Sequence, residues 1–303
     1  MDASVKKGYG WILYLAPFLL GVTLFKVIPL FQVVAISFRE GYRFLTGAYN
    51  GVGFGNYIAI FRDDYFLQAM QNTAIYAVVV VFAVILISLP LAWCMLRVKR
   101  GLAFFQVAIF LPFITSDIAI GMVWRLLFSN NGIVNHLITM LGFDPVGWLT
   151  DAGMSLVTLI LYGIWSGIPM TVLIFYCALL NVDPNLFTAA RVGGAGEMKI
   201  FHKIVVPMMR SSIIMVFAIN SVSAWLTING LFPLFMGQPG PYYNLYTLVY
   251  YIYDNVQQGR MGFAAACAAS CVLLLLVGAF QLLRIILTPG RRSSHAALSD
   301  PLT

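Results

Sequence analysis

Six long apolar stretches separated by short polar segments dominate this chain. They run over residues 11–36, 73–96, 104–128, 154–180, 204–228 and 262–287. Each reaches the length of about 20 residues that a helix needs to cross roughly 30 Å of hydrocarbon. In lipid, unpaired backbone groups have no water to turn to, so each stretch is expected to be helical. Pro17 and Pro29 fall inside the first stretch. Such prolines are tolerated at membrane depth because neighbouring helices satisfy the freed backbone groups. The pattern predicts an all-α membrane protein of about six transmembrane helices, organised as one domain over residues 1–303.

Composition strengthens this picture. Hydrophobic residues make up 61% of the chain and charged residues 10%, against about 25% charged in a soluble domain. The chain therefore lacks the polar residues to cover a soluble surface, and the surplus apolar surface must face lipid. Lys6 and Lys7 precede the first apolar run. A signal peptide has a shorter apolar region ending at a small-residue cleavage site. No convincing site of that kind occurs in residues 11–36, so the run is expected to stay as the first helix.

The net charge is +7, but its basic residues are scattered in short connections, which points to orientation in a bilayer and away from nucleic acid. With the N-terminus inside, the inner segments carry Lys6, Lys7, Arg97, Lys99, Arg100, Arg191, Lys199, Lys203, Arg210, Arg284, Arg291 and Arg292. The outer set is Lys26, Arg39, Arg43, Arg62, Arg125 and Arg260. This twelve-to-six bias predicts a multi-pass protein with both termini cytoplasmic. Residues 1–10 form the expected N-terminal cytoplasmic segment, residues 181–203 a cytoplasmic loop, and residues 288–303 a polar cytoplasmic tail. Three longer turn-rich connections, at 37–72, 129–153 and 229–261, fall outside.

Little here suggests an enzyme. Cys94, Cys177, Cys267 and Cys271 lie in apolar runs and read as small buried hydrophobes. His136, His202 and His295 are far apart and have no metal-ligand spacing. No nucleophile elbow, HExxH or paired carboxylate is found. Metal sites and cofactors bound by this chain are therefore not expected.

Polar groups inside the apolar runs are the better candidates, because polar side chains at membrane depth are costly and often functional. Asn220, Ser223 and Thr227 recur at i, i+3 and i+7, which places them on one helix face. They either contact a solute or hold helices together by hydrogen bonds. Asp117 sits within the third run, where it binds a solute hydroxyl or is neutralised by Lys26. Arg125 lies near the outer end of the same run and is expected to snorkel.

Residues 181–203 are the most informative connection. Asp183 followed by Pro184 is a helix-start signal, and residues 186–192 suit a short helix. Gly193, Gly194 and Gly196 then break it before a second amphipathic segment leading to Pro207. Such a helix–turn–helix lies flat on a membrane face, plugs into a partner, or packs on the bundle as an ordinary loop.

The stretch Thr188-Ala189-Ala190-Arg191-Val192-Gly193-Gly194-Ala195-Gly196, followed by Phe201, Ile204 and Pro207, resembles the EAA coupling loop of binding-protein-dependent ABC importer permeases. Ala189, Ala190, Gly194, Ala195, Gly196, Phe201, Ile204 and Pro207 match in register. Thr188 stands where Glu is usual, and Gly193 where Asp is usual. Thr188 can hydrogen-bond or cap but forms no salt bridge. The resemblance extends over nearly the whole chain. It includes Pro17, Pro29, Ser37 and Phe38; Gly55-Asn56-Tyr57 and Asn72-Thr73; Phe110-Leu111-Pro112 and the run 123–128; and residues 237–241, Leu245-Tyr246 and Tyr250, Ile252 and Tyr253. The pattern is similar to the branch that carries sugars and glycerol-phosphate-type solutes.

The resemblance implies a bacterial inner-membrane permease that works with a second permease subunit, two ATPase subunits and an extracytoplasmic solute-binding protein. ATP and Mg would sit on the ATPase, since no GxxxxGK[ST] loop occurs here. It further implies that residues 188–201 couple to the ATPase and that Gly167 and Met170, in the Gly-x-Pro region of the fourth helix, line the pathway. No basic residue joins Asn220, Ser223 and Thr227 on the pathway face of the fifth helix, which favours a neutral sugar over a glycerol phosphate. A self-sufficient secondary transporter is the competing reading.

Overall fold

The computed structural model describes residues 10–98, 100–227, 231–241, 244–257, 259 and 261–287. Expectations for Lys6, Lys7, Lys99, Arg260, Arg291, Arg292, His295, residue 228 and the tail lie outside the described residues.

In chain order the elements are α1 (Gly10–Val22), a π-helical segment (Thr23–Val27) and α2 (Ile28–Ser37). A short hairpin, β1 (Arg39–Glu40) and β2 (Gly51–Val52), and α3 (Gly55–Phe61) follow. Next come α4 (Asp64–Arg97), α5 (Leu102–Ile114), α6 (Asp117–Leu127), α7 (Ile133–Met140) and α8 (Ala152–Leu180). Then α9 (Pro184–Val192) and α10 (Glu197–Ile200) lead through a second π segment (Phe201–Val205) to α11 (Val206–Met208) and α12 (Arg210–Trp225). The last helices are α13 (Leu231–Phe235), α14 (Leu248–Gln257) and α15 (Phe263–Leu287).

Among the described residues, Tyr14–Ser37, Asp64–Arg97, Ala152–Leu180 and Phe263–Leu282 are each long and apolar enough to span a membrane. Two bent pairs bring the total to six when each counts as one span. The expected third helix is not straight. Thr115 and Ser116 are extended, so α5 and α6 meet at 101° and Asp117 opens α6. The expected fifth helix is bent by 69° at Met209, and its last regular residue is Trp225, which leaves Thr227 beyond the helix. The expected loops also hold more helix than their turn residues suggest. The second helix starts at Asp64, α7 occupies the middle of 129–153, and α13 and α14 lie within 229–261.

Both π segments have one cause. Pro29 and Pro207 each follow a π segment by one intervening residue. Proline has no N–H, and its ring crowds the carbonyl four residues back. The helix widens instead, with Ile28 N–H bonded to the Thr23 carbonyl and Val206 N–H to the Phe201 carbonyl.

The described residues form two compact units. One lies within residues 1–67 and 249–273. In it Glu40 accepts from Gly55 N–H (2.8 Å), and the Asn56 amide donates to the carbonyls of Ser37 (2.9 Å) and Arg39 (3.0 Å). Ser37 and Tyr57 share a hydrogen bond of 2.8 Å. The Gly55-Asn56-Tyr57 pattern is thus a clamp on the hairpin, and partial burial pushes the Tyr57 hydroxyl above its usual pKa. Tyr251 on α14 is fully buried and donates to Asp63 (2.9 Å).

The other unit lies within residues 68–248 and 274–303. Here α5 and α12 pack on α8, and α13 packs on α6. Asn72 donates to the carbonyls of Asn244 and Tyr246 (2.8 and 3.0 Å), and Thr73 accepts from Leu248 N–H (2.9 Å). A core of Leu89, Trp93, Val172, Phe175, Leu179, Phe187, Ile200, Val205, Met209 and Val216 joins α4, α8, α9 and the α10–α12 segment.

Candidate functional site

Two concave regions in the second unit gather the candidate residues. The first is a cavity of about 540 Å³ between α4, α5, α6, α8 and α12. Tyr76, Val80 and Val84 line it from α4, at one-turn intervals along a single face. Phe113 and Asp117 come from the bent α5–α6 pair, Tyr162, Ser166, Gly167 and Met170 from α8, and Asn220 and Ser223 from α12. Thr227 lines it from beyond the end of α12.

Glycine sets the spacing of these walls. A Cβ on Gly163 would collide with the Tyr76 hydroxyl, and one on Gly167 would lie 2.9 Å from Val84 Cγ2. Their absence lets α4 come against α8. Asn220 Nδ2 donates to Thr171 Oγ1 (3.1 Å), tying α12 to α8. Asp117 stands in the first turn of α6, where the positive end of the helix dipole favours a carboxylate. Behind the wall Tyr162, Trp124 and Trp165 form an aromatic group, with ring centroids 5.6 Å apart for Trp124–Tyr162 and 5.4 Å for Trp124–Trp165.

All six residues singled out by sequence as pathway candidates (Gly167, Met170, Asn220, Ser223, Thr227 and Asp117) line this one cavity. Lys26, the alternative partner for Asp117, belongs to the other compact unit. Sequence reasoning missed Tyr76, Tyr162 and Ser166. The signal available was a tyrosine at one-turn spacing from two valines in an otherwise aliphatic run, and a serine next to the Gly-x-Pro stretch. Arg125 lines a separate cavity of about 710 Å³ with Asn130, Asn131 and Gln238.

The second region is the helix–turn–helix of α9 and α10. Asp183 caps α9 by accepting from Asn185 N–H (2.9 Å). Its other end is a Schellman turn, with Ala195 N–H bonded to the Ala190 carbonyl (2.9 Å) and Gly194 N–H to the Arg191 carbonyl (3.0 Å). Gly194 has φ +78°, so this is the glycine that the turn requires, whereas Gly193 and Gly196 are ordinary in φ. Ala190 and Ala195 are the two small residues that this turn brings together. The Thr188 hydroxyl donates to the Pro184 carbonyl (3.3 Å), which spends it within the helix.

One face of this element is anchored. Phe187 packs edge-on to Trp93 at 5.0 Å, Ile200 is fully buried, and Phe201 packs against the same core. On the other face Val192 is 85% exposed and Met198 73% exposed, which is apolar surface left uncovered by the described residues. A second cavity of about 540 Å³ runs beside α9, lined by Trp93, Arg97, Phe187, Thr188, Arg191 and Glu197 among others. Glu197 Oε1 accepts from both Arg97 Nη2 (3.1 Å) and Arg191 Nε (3.0 Å), linking the end of α4, α9 and α10. Arg97 also stands over the Trp93 ring at 5.7 Å. Sequence reasoning did not single out Glu197 or its partner Arg97, which lies far away in the chain.

Membrane-spanning helices, a polar cavity between them, and a capped helix–turn–helix with an uncovered apolar face define a polytopic α-helical transport permease. The model of the family described as binding-protein-dependent transport system inner membrane component matches residues 66–289, and the chain belongs to that family. It is 28% identical over 296 residues to the lactose transport system permease protein LacF of Rhizobium radiobacter, covering 96% of this chain and 98% of LacF. It is 30% identical over 282 residues to the arabinooligosaccharides transport system permease protein AraP of Halalkalibacterium halodurans, covering 90% and 86%. The sn-glycerol-3-phosphate transport system permease protein UgpA of Escherichia coli is 28% identical over 274 residues, covering 88% and 90%. A chain in the crystal structure of a bacterial alginate ABC transporter, in complex with alginate pentasaccharide-bound periplasmic protein, shares the fold. Its TM-score is 0.80 at 21% identity, covering 92% of this chain and 94% of that one.

Proposed function

We propose that this chain is one of two membrane-spanning subunits of an ATP-driven importer in the bacterial cytoplasmic membrane, and that it passes a sugar delivered by an extracytoplasmic binding protein. The observation that carries this reading is the single cavity lined by Tyr76, Asp117, Ser166, Asn220, Ser223 and Thr227. Hydroxyls, an amide and a carboxylate with aromatic walls suit a polyhydroxylated solute. The names of LacF and AraP, which refer to lactose and arabinooligosaccharides, support a carbohydrate.

In this reading both termini are cytoplasmic, and α9 with α10 is the cytoplasmic docking element. The exposed Val192 and Met198 face an ATPase subunit. ATP and Mg belong to that subunit, two copies of which serve a pair of permeases. Closure of the ATPases on ATP moves α9. Phe187 against Trp93, and Glu197 against Arg97, pass the movement to the end of α4, while Met209 takes up the bend into α12. The cavity between α4, α8 and α12 then opens alternately to the two sides, as a two-state element biased by a bound ligand.

Co-expression of this chain with its neighbouring genes, followed by mild-detergent purification, tests the assembly. Recovery of an ATPase and a second permease, with hydrolysis stimulated by a sugar-loaded binding protein, is expected. Recovery of the chain alone, stable and without ATPase, contradicts the proposal.

A further inference from the structure

Among the described residues lining the cavity between α4, α6, α8 and α12, Asp117 is the one charged side chain. It is exposed, and among the described residues of its own compact unit it makes no hydrogen bond and no ion pair. Arg125, about two turns further along α6, lines the other cavity and offers it no counter-charge. The remaining polar groups of the wall are neutral: Tyr76, Tyr162, Ser166, Asn220, Ser223 and Thr227.

An uncompensated carboxylate of this kind discriminates by charge. A solute anion about 6 Å from it, at an effective dielectric of ~20, is disfavoured by roughly a hundredfold relative to the uncharged analogue. A sugar hydroxyl donates to it in a charge-assisted hydrogen bond, of the stronger kind. We propose that Asp117 makes this cavity an anion filter: the cargo is an uncharged carbohydrate, and sugar phosphates and uronates are refused at this point. The proposal rests on the reading of the cavity as the solute path, and it assigns Asp117 the role of a specificity residue.

The test reads the electrostatic potential in the cavity without needing the cargo. In the complete complex in membrane vesicles, Cys94, Cys177, Cys267 and Cys271 are replaced by alanine and one reporter cysteine is introduced, Ser223→Cys or, as a second position, Ser166→Cys. Alkylation rates with the cationic trimethylammonioethyl and the anionic sulfonatoethyl methanethiosulfonates are measured and normalised to a free thiol. A cation-to-anion ratio well above that of the free thiol is expected. It should fall at least about tenfold in Asp117→Asn and persist in Asp117→Glu. An equal ratio in all three backgrounds overturns the filter while leaving the path intact. Failure of both reporters to react with either reagent, in a correctly assembled complex, overturns the path itself and the filter with it.

Discussion

Asn220 shows how one polar side chain at membrane depth divides its capacity. Its amide nitrogen is committed to Thr171 on α8, and the residue lines the cavity from α12. Interhelical hydrogen bonds in membranes average about 0.6 kcal/mol, so Asn220→Ala should leave assembly intact. Loss of a solute hydrogen bond at the proposed path, worth about 1 kcal/mol, should lower the initial rate of sugar uptake at low concentration roughly fivefold. Uptake kinetics together with size-exclusion profiles separate the two, and normal uptake would remove Asn220 from the path. The spacing of Asn220, Ser223 and Thr227 was legible in the sequence because helical periodicity is local. Tyr76 and Tyr162 were not, because a tyrosine among aliphatic residues looks the same whether it packs or lines a cavity. Only the approach of α4 to Gly163 and Gly167 decides which.

At the scale of elements, the turn between α9 and α10 is defined by Gly194. A lysine there must adopt φ +78°, which costs an L-residue about 1–2 kcal/mol, and it adds a charge beside the exposed apolar face. In Gly194→Lys the purified complex should still hydrolyse ATP while uptake is lost, which paired ATPase and uptake assays would reveal. Normal uptake by this variant would contradict the coupling role proposed for α9. The glycine-rich turn and the Asp183–Pro184 start were readable, since capping chemistry is written in adjacent residues. The 101° break at Thr115 and Ser116 was not. Asp117 stood out in sequence as a costly charge, and Ser116 before it is a favoured N-cap type, but inside an apolar run long enough for one straight span that start signal carries little weight. The packing of α13 on α6 comes from a segment more than a hundred residues away. Glu197 was obscured in the same way, as one acid among the scattered charges of an amphipathic segment, until the fold brought Arg97 to it.

For the molecule as a whole, hydrophobic patterning was sufficient to identify the helices that cross the membrane. The penalty for unpaired backbone in lipid leaves few alternatives to a helix. It could not show that two of the six candidate spans are bent, or that the polar residues of four of the helices share one cavity, because both depend on contacts between distant segments. The central claim is that this cavity belongs to a permease whose conformational cycle is driven by ATP on partner subunits. Its most direct test is uptake of a labelled neutral sugar by the purified complex in proteoliposomes, with the loaded binding protein on one side and ATP supplied on the other. The account predicts accumulation that requires both ATP and the binding protein. Accumulation without ATP, driven by an ion gradient, would contradict it.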